Sequence, residues 1–295
     1  MTGNDRVGKL TITVLVDNLP GEGLQAEWGL SVLIDADGRQ ILLDTGASSL
    51  FAENAHAMGI PLDRVEAGVL SHAHYDHADG LDRFFEENRK AKFYLRESCR
   101  ENCFSEREDG SVRYIGICKG ALSRHSDRIV YVSGTEEIAP GIWLIGHRKA
   151  DYTKIAIENK LYTAGSDTLS ASEWTDEGVR KIRKPDDFSH EQSLVVRTEK
   201  GLVIFNSCSH TGVQNIISEV REALGEEKIC AYIGGMHLYR LSDEQILSLA
   251  DYLEEESIGR IYTGHCSGEH GYELLSQRLK GRIVQFYSGL DCRIV

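Results

Sequence analysis

The amino-acid sequence predicts a single layered α+β domain. Three observations carry this reading: an opening of short apolar, β-branched segments split by turn residues, a later alternation of strand and helix patterns, and no internal repeat or low-complexity linker. The 295 residues, 41% hydrophobic and 27% charged, are enough for a sizeable core and exclude a disordered or fibrous chain.

In order along the chain, Leu10–Val16, Leu30–Ile34 and Ile41–Leu43 read as a β-meander, separated by the polar, glycine-containing breaks DNLPGEG and DADGRQ. Ala47–Met58 carries a helical pattern, and Val65–Leu70 is a strand that follows Pro61. Phe93–Leu95, Ile129–Val132 and Ile142–Ile145 are further strands, with a charged, irregular stretch at Glu97–Ser126. Residues 148–187 are the least regular part, polar and rich in cations (Arg148, Lys149, Lys154, Lys181, Arg183, Lys184). They read as a solvated insertion, with a lid or substrate loop as the alternative. Beyond them the pattern sharpens. Ser193–Arg197 and Leu202–Asn206 flank the turn TEKG as a hairpin, and Val213–Leu224 is helical. Ile229–Ile233 is a strand, Asp243–Glu256 an amphipathic helix, and Ile258–Thr263 a strand. The expected organisation is one domain over residues 1–295 with an insertion or lid at 97–190.

Charge and composition narrow the partners. With 33 basic and 46 acidic residues the net charge is −13, so the average surface repels phosphate backbones and anionic lipids; broad nucleic-acid or membrane binding is not expected. No run approaches the roughly 20 apolar residues of a membrane span. The opening MTGNDRVGKL lacks the apolar stretch of a signal peptide, so the expected location is the cytoplasm. Seven scattered cysteines, Cys99, Cys103, Cys118, Cys208, Cys230, Cys266 and Cys292, form no CxxC pair and read as reduced thiols. Cys99 and Cys103, four apart, are the one candidate metal or redox pair.

The chemistry concentrates at Ser71-His72-Ala73-His74-Tyr75-Asp76-His77, directly after the apolar AGVL and directly before a helical pattern. Three imidazoles and a carboxylate on one strand-to-helix turn offer the nitrogen and oxygen donors that suit zinc, iron or manganese. Histidines also stand at or beside later strand ends: His190 before SLVV, His210 after VIFN, His237 after AYIGG and His265 after RIYTG.

HAHYDH fits the HxHxDH motif of the metallo-β-lactamase superfamily, and ILLDTG, with Asp44 at a strand end, resembles that superfamily's first motif, whose aspartate supports the metal site. SCSHTG, GGMHL and TGHCSG resemble one branch of it, the dihydropterin-linked 5′-phosphate synthase-like metal-dependent hydrolases. That resemblance runs from GLSVLI at 29–34 to TGHCSG at 263–268 and is weakest across 97–190. It implies an αββα sandwich with one or two divalent ions, zinc first, at one edge of the sheets. Carried over residue by residue, His72 and His74 hold one ion and Asp76 and His77 the other, with His265 as the superfamily's last histidine and Asp44 as support. His210 stands where many relatives have a bridging aspartate, a departure from a symmetric two-ion centre. His190 fits the spacing of a further histidine, Glu191 competes with it, and His237 is either a ligand or a substrate contact. Trp28 stands where this branch carries a histidine, and its plain role is packing against the sheet.

The resemblance implies hydrolysis of a phosphodiester or related ester, the substrate being small, phosphorylated and possibly pterin-like in its ring system, with a hydroxide held on the metal as nucleophile and Asp76 as the catalytic carboxylate. The alternatives are the condensation named by the branch, which joins a dihydropterin pyrophosphate to an aminobenzene ribosyl phosphate, and a metal-binding sensor with vestigial activity. AGSDT at 164–168 imitates a bridging-aspartate motif without an apolar strand before it and is set aside. His56, His125, His147 and His270 have no motif around them. The sequence leaves the oligomeric state open.

Overall fold

The computed structural model describes residues 6–147, 152–165 and 176–295. Two seven-stranded mixed sheets face each other, helices cover both outer faces, and the architecture is an αββα sandwich. In spatial order the first sheet runs Asp291–Arg293, Leu10–Val16, Ser31–Ala36, Arg39–Leu43, Ala67–Val69, Lys92–Arg96 and Ile129–Val132. The second runs Ile283–Gln285, Arg260–Thr263, Ile229–Ile233, Gly201–Phe205, Gln192–Thr198, Ile142–Gly146 and Thr135–Ala139.

Both sheets change from antiparallel to parallel partway along the chain. The opening meander ends at Arg39–Leu43, after which Ala67–Val69, Lys92–Arg96 and Ile129–Val132 pair in parallel. In the second sheet the antiparallel run ends at Gly201–Phe205, and Ile229–Ile233, Arg260–Thr263 and Ile283–Gln285 follow in parallel. Parallel neighbours need a crossover, so loops and helices leave from the carboxyl ends of these strands.

The inner strands are largely apolar because both of their faces are covered, whereas edge strands such as Thr135–Ala139 and Asp291–Arg293 carry exposed polar residues. Along Gly201–Phe205 the period of two sends Val203 and Phe205 into the layer between the sheets and Leu202 and Ile204 outward, under helices. The middle layer joins Ile12, Val14, Ile41 and Leu43 to Leu144, Leu194 and Ile233. Outside the first sheet, helices Leu50–Ala57 and Leu81–Glu87 bury Phe51 and Phe84 against Leu42 and Phe93; each such side chain stabilises the fold by about 1.5–3 kcal/mol. Outside the second, helices Val213–Leu224, Asp243–Glu255 and Gly268–Arg278 press Ile216, Val220, Leu249 and Leu275 onto Leu202, Tyr232 and Ile261. Asp243–Glu255 starts with a reciprocal cap: Ser242 accepts from the Gln245 amide and Gln245 reaches back to the Ser242 amide.

Within residues 97–190, Ile129–Val132, Thr135–Ala139 and Ile142–Gly146 belong to the large sheets. The remaining strands, Cys103–Glu106, Val112–Tyr114, Leu161–Ala164 and Arg183–Pro185, form a separate four-stranded sheet. Arg148, Lys149 and residues 166–168 of AGSDT lie outside the described residues. No helix among the described residues is long and apolar enough to cross a membrane.

Candidate metal centre

Every histidine cluster of interest sits just past the carboxyl end of a strand. Asp44 follows Arg39–Leu43, the His72–His77 turn follows Ala67–Val69, His210 follows Gly201–Phe205, His237 follows Ile229–Ile233 and His265 follows Arg260–Thr263. The chain bends sharply there. Of the eight non-glycine residues with positive φ among the described residues, Asp44 (61°), Ser209 (54°), His237 (51°) and His265 (48°) belong to these loops. Left-handed backbone is costly for such residues and tends to persist where a site needs it.

Asp44, fully buried, organises the first group. Its Oδ1 accepts the Ser71 amide at 2.7 Å, and its Oδ2 accepts both the Ser71 hydroxyl and His77 Nδ1 at 2.7 Å. With its proton given to Asp44, the Ser71 oxygen is free to accept from His72 Nδ1 at 2.8 Å. One carboxylate thus fixes the tautomer of two imidazoles, His77 directly and His72 through Ser71, and leaves both Nε2 atoms as bare acceptors.

Each bare nitrogen faces a second imidazole across the sandwich. His72 Nε2 lies 3.3 Å from His210 Nε2, and His77 Nε2 lies 3.2 Å from His265 Nε2. His265 is oriented by Asn18, whose Oδ1 receives Nδ1 at 3.1 Å and whose amide donates to the His265 carbonyl at 3.1 Å. The His74 ring stands 4.6 Å from that of His72 and 4.8 Å from that of His210, and its buried Nε2 has no hydrogen-bond partner. Asp76 Oδ2 lies 3.5 Å from His265 Nε2 and 4.0 Å from His77 Nε2. The residues therefore form two neighbouring groups, His72–His74–His210 and Asp76–His77–His265.

The Cys208 thiol sits 3.2 Å from His77 Nε2. Cys208, read from the sequence as one of seven reduced thiols, stands two residues before His210; its approach to His77, 131 positions earlier, is a product of the fold.

Burial sets the protonation states. It holds His72 and His210 well below the usual imidazole range and His74 down to about 3, and neighbouring imidazoles add to the effect. For Asp76 burial acts to raise the pKa, but His77 and His265 outweigh it and keep the carboxylate well below its ordinary range. For His265 burial acts to lower it, while Asp76, Cys266 and Asp17 bring it up to about 9. His72, His74 and His210 are thus neutral imidazoles and Asp76 an ionised carboxylate, the protonation states a divalent cation requires of its ligands, whereas His265 in the metal-free site is drawn toward its protonated form and must lose that proton to ligate.

The other expected residues are placed as follows. His190 Nδ1 accepts the Ala73 amide at 3.2 Å, so its proton is on Nε2, 3.0 Å from Asp186 Oδ2; the ring braces the turn between His72 and His74. Glu191 uses both oxygens on the His210 loop, accepting the His210 amide at 2.8 Å, the Thr211 amide at 3.0 Å and the Thr211 hydroxyl at 2.6 Å. His237 packs its ring 4.5 Å from His210, and neither of its ring nitrogens has a hydrogen-bond partner. His56, His125 and His270 face Glu87, Asp82 and Asp243 away from the site, and buried His147 is bonded to Glu219 and Ser193. Trp28, expected to pack against the sheet, instead donates Nε1 to Asp76 Oδ2 at 2.8 Å. All seven cysteines are free.

A cavity of about 280 Å³ opens onto these groups. His74, Asp76, His210, His237 and His265 are on its wall, Trp28 and Tyr239 form an aromatic side, and Arg107, Arg113 and Arg240 line it as cations. Arg113 lies 5.1 Å over the Tyr75 ring and donates to its hydroxyl at 3.1 Å; Arg240 lies over Tyr239 and donates to the Asn159 carbonyl. Of the cations anticipated from the sequence, Lys181 pairs with Glu177 and Arg183 with Glu106.

Comparison with known proteins agrees with this geometry. A family model described as the metallo-beta-lactamase superfamily matches residues 29–150. The chain is 26% identical over 299 residues to a 7,8-dihydropterin-6-methyl-4-(beta-D-ribofuranosyl)-aminobenzene-5′-phosphate synthase of Methanocaldococcus jannaschii, covering 96% of each. A solved structure of a metal-dependent hydrolase of the beta-lactamase superfamily is 29% identical, with a TM-score of 0.78 over 96% of this chain and 98% of that one. The metallo-beta-lactamase fold protein YhfI from Bacillus subtilis, at 11% identity and a TM-score of 0.55 over 97% and 99%, shares the fold. The ordered motifs and the αββα sandwich agree with these likenesses: residues 29–150 match the metallo-beta-lactamase superfamily model, and the chain has the metallo-beta-lactamase fold.

Proposed function

We propose that this protein is a metal-dependent hydrolase of phosphodiesters or related esters, with His72, His74 and His210 holding one divalent ion and Asp76, His77 and His265 a second. The observation that carries the reading is the pair of facing nitrogens at 3.3 and 3.2 Å. Two ligands of a tetrahedral ion with bonds of about 2.0–2.1 Å lie about 3.3–3.4 Å apart, so the imidazoles already stand at ligand spacing. The buried, unpartnered Nε2 of His74 fits the same account, since a buried polar atom needs a partner and a cation supplies one.

Zinc is the first choice of ion on this donor set, with iron or manganese as alternatives. Such ions acidify a bound water toward neutral pH and polarise the substrate oxygen. Asp76, kept ionised by His77 and His265, is suited to ligation and to orienting an attacking water more than to storing its proton. Arg107, Arg113 and Arg240 outnumber the carboxylates Asp76 and Glu106 on the cavity wall, and Glu106 is paired with Arg183, which supports a small phosphorylated substrate in an otherwise acidic protein. The small sheet of residues 103–114 and 161–185 supplies Arg113 and Leu161 to that cavity, in keeping with a substrate-covering role for 97–190. The reading includes a cytoplasmic location, with neither nucleic acid nor membrane as a general partner.

A second reading, condensation of a dihydropterin with an aminobenzene ribosyl phosphate, draws on the 26% identity to the synthase across nearly the whole chain. Turnover of bis-p-nitrophenyl phosphate by the wild type, falling by more than about 1,000-fold in His72→Ala, is the expected result for the hydrolase. Absence of turnover together with pyrophosphate release from a dihydropterin pyrophosphate and an aminobenzene ribosyl phosphate would transfer the assignment to condensation. Metal retention without either reaction would leave the sensor reading.

A further inference from the structure

The segment 28–30 grips Asp76 at both of its ends. The Leu30 amide donates to the Asp76 carbonyl at 3.1 Å, and the Trp28 indole N–H donates to Asp76 Oδ2 at 2.8 Å. Gly29 between them is pressed so closely that a Cβ there would stand 2.8 Å from the Ala47 amide nitrogen and 3.0 Å from the Asp76 carbonyl oxygen. The segment is tied down in turn, because the Gly46 amide donates to the Leu30 carbonyl at 3.1 Å, beside Asp44. The oxygen that Trp28 engages is the one turned toward His265 Nε2 (3.5 Å) and His77 Nε2 (4.0 Å). The indole also lies 5.1 Å from the His265 ring and meets the Tyr239 ring edge-on at 6.2 Å, while 46% of Trp28 remains exposed at the cavity.

The geometry points to Trp28 as a positioning residue for the second ion: its N–H holds the Asp76 carboxylate so that Oδ2 faces His77 and His265. This rests on the two-ion reading above and adds a determinant to it. Indole N–H is a donor only and cannot itself ligate, so its effect on the ion runs through Asp76. A carboxylate in a site of this kind has two oxygens and a rotatable χ2. The other contacts of Oδ2 are with His265 and His77, which the two-ion reading commits to the ion, so without the indole the ordering cost of the carboxylate returns to ion binding. The arrangement parallels that of His77 and His72, whose orientation is set by Asp44, but here the orienting group is an aromatic side chain on the cavity wall.

The test is a double-mutant cycle read by calorimetric titration of chelator-treated full-length protein with zinc alone, for wild type, Trp28→Phe, Asp76→Ala and the double variant. The expected result is a second zinc step weakened by roughly 10–100-fold in Trp28→Phe with the first step unmoved, and no further loss when Trp28→Phe is added to Asp76→Ala. Equal zinc binding by wild type and Trp28→Phe overturns the assignment, as does an additional loss of the same size in the Asp76→Ala background. A wild type that takes up no zinc, or one ion only, overturns the two-ion reading itself and is recognisable before any variant is compared. Trp28→Tyr, which keeps more of the ring bulk without the indole N–H, serves as the second variant, and an unchanged thermal midpoint certifies the fold of each.

Discussion

The two sheets bring their chemistry to the same edge by the same topology, an antiparallel run that turns parallel, yet they load that edge differently. The first sheet delivers His72, His74, Asp76 and His77 on one turn, and a single buried carboxylate, Asp44, orients two of the imidazoles. The second delivers His210, His237 and His265 one at a time from three strand ends, two of them with separate supports, Glu191 under the His210 loop and Asn18 beside His265, while the ring of His237 has no hydrogen-bond partner. One half is wired centrally and the other piecemeal. Damage to the first should spread, and damage to the second should stay local.

The largest effect expected from this contrast is at Asp44. Asp44→Asn removes the charged acceptor shared by Ser71 and His77 and loosens both ion positions together; metal affinity measured by titration should fall by about 10–100-fold at each. If only one position weakens, the central wiring of the first half is wrong. A smaller and local loss is expected for Glu191→Gln, which leaves the His210 and Thr211 amides a weaker acceptor. About a tenfold weaker binding at the His72–His74–His210 position, with the other unmoved, is the predicted titration result.

A further prediction, on stability, concerns the imidazoles themselves. His74 has a folded pKa of about 3 against an ordinary value of 6.5, and His72 and His210 move in the same direction. Between pH 6.5 and 3 the unfolded chain therefore binds protons that the folded, metal-free chain does not. Stability rises with pH across that window and is lost as the pH falls, by up to about 1.4 kcal/mol per pH unit for each such group. Above pH 6.5 these groups add no slope. Chemical denaturation of metal-free protein at a series of pH values checks this, and a flat profile from pH 6.5 down to 4 would contradict the neutral-imidazole description of the site.

How much of this was legible in the sequence follows the same division. Leu10–Val16, Ile129–Val132, Val213–Leu224 and Ile229–Ile233 have the limits that their patterns predict, because each is apolar enough for burial to show as periodicity. The small sheet escaped because its strands are short and polar, as in Val112–Tyr114 and Arg183–Pro185. Its pairing of Tyr162 with Phe104 spans residues with no local signal between them. The terminal strands Ile283–Gln285 and Asp291–Arg293 escaped for the same reason.

At the site, the contiguous HAHYDH turn and Asp44 were readable, and so were the strand-end histidines as candidates. Which of those histidines meet which was not, since the contacts of His72 with His210 and of His77 with His265 span 138 and 188 positions. The bracing of the turn by His190, the capture of the His210 loop by Glu191, and the bonds of Trp28 and Cys208 into the site are likewise tertiary facts. The cavity's arginines carry no local signal: Arg107 and Arg113 are two of many charges in the stretch 97–126, and they meet Arg240 only in the fold.

The central claim is that imidazoles from the two sheets hold divalent ions between them. Its most direct test is the metal content per chain, by elemental mass spectrometry, of protein purified without chelator, for wild type and His210→Ala side by side. The account predicts about two ions in the wild type and a clear fall on removing His210, the residue through which the second sheet completes the His72–His74 group. One ion or none in the wild type, unchanged in the variant, would contradict it.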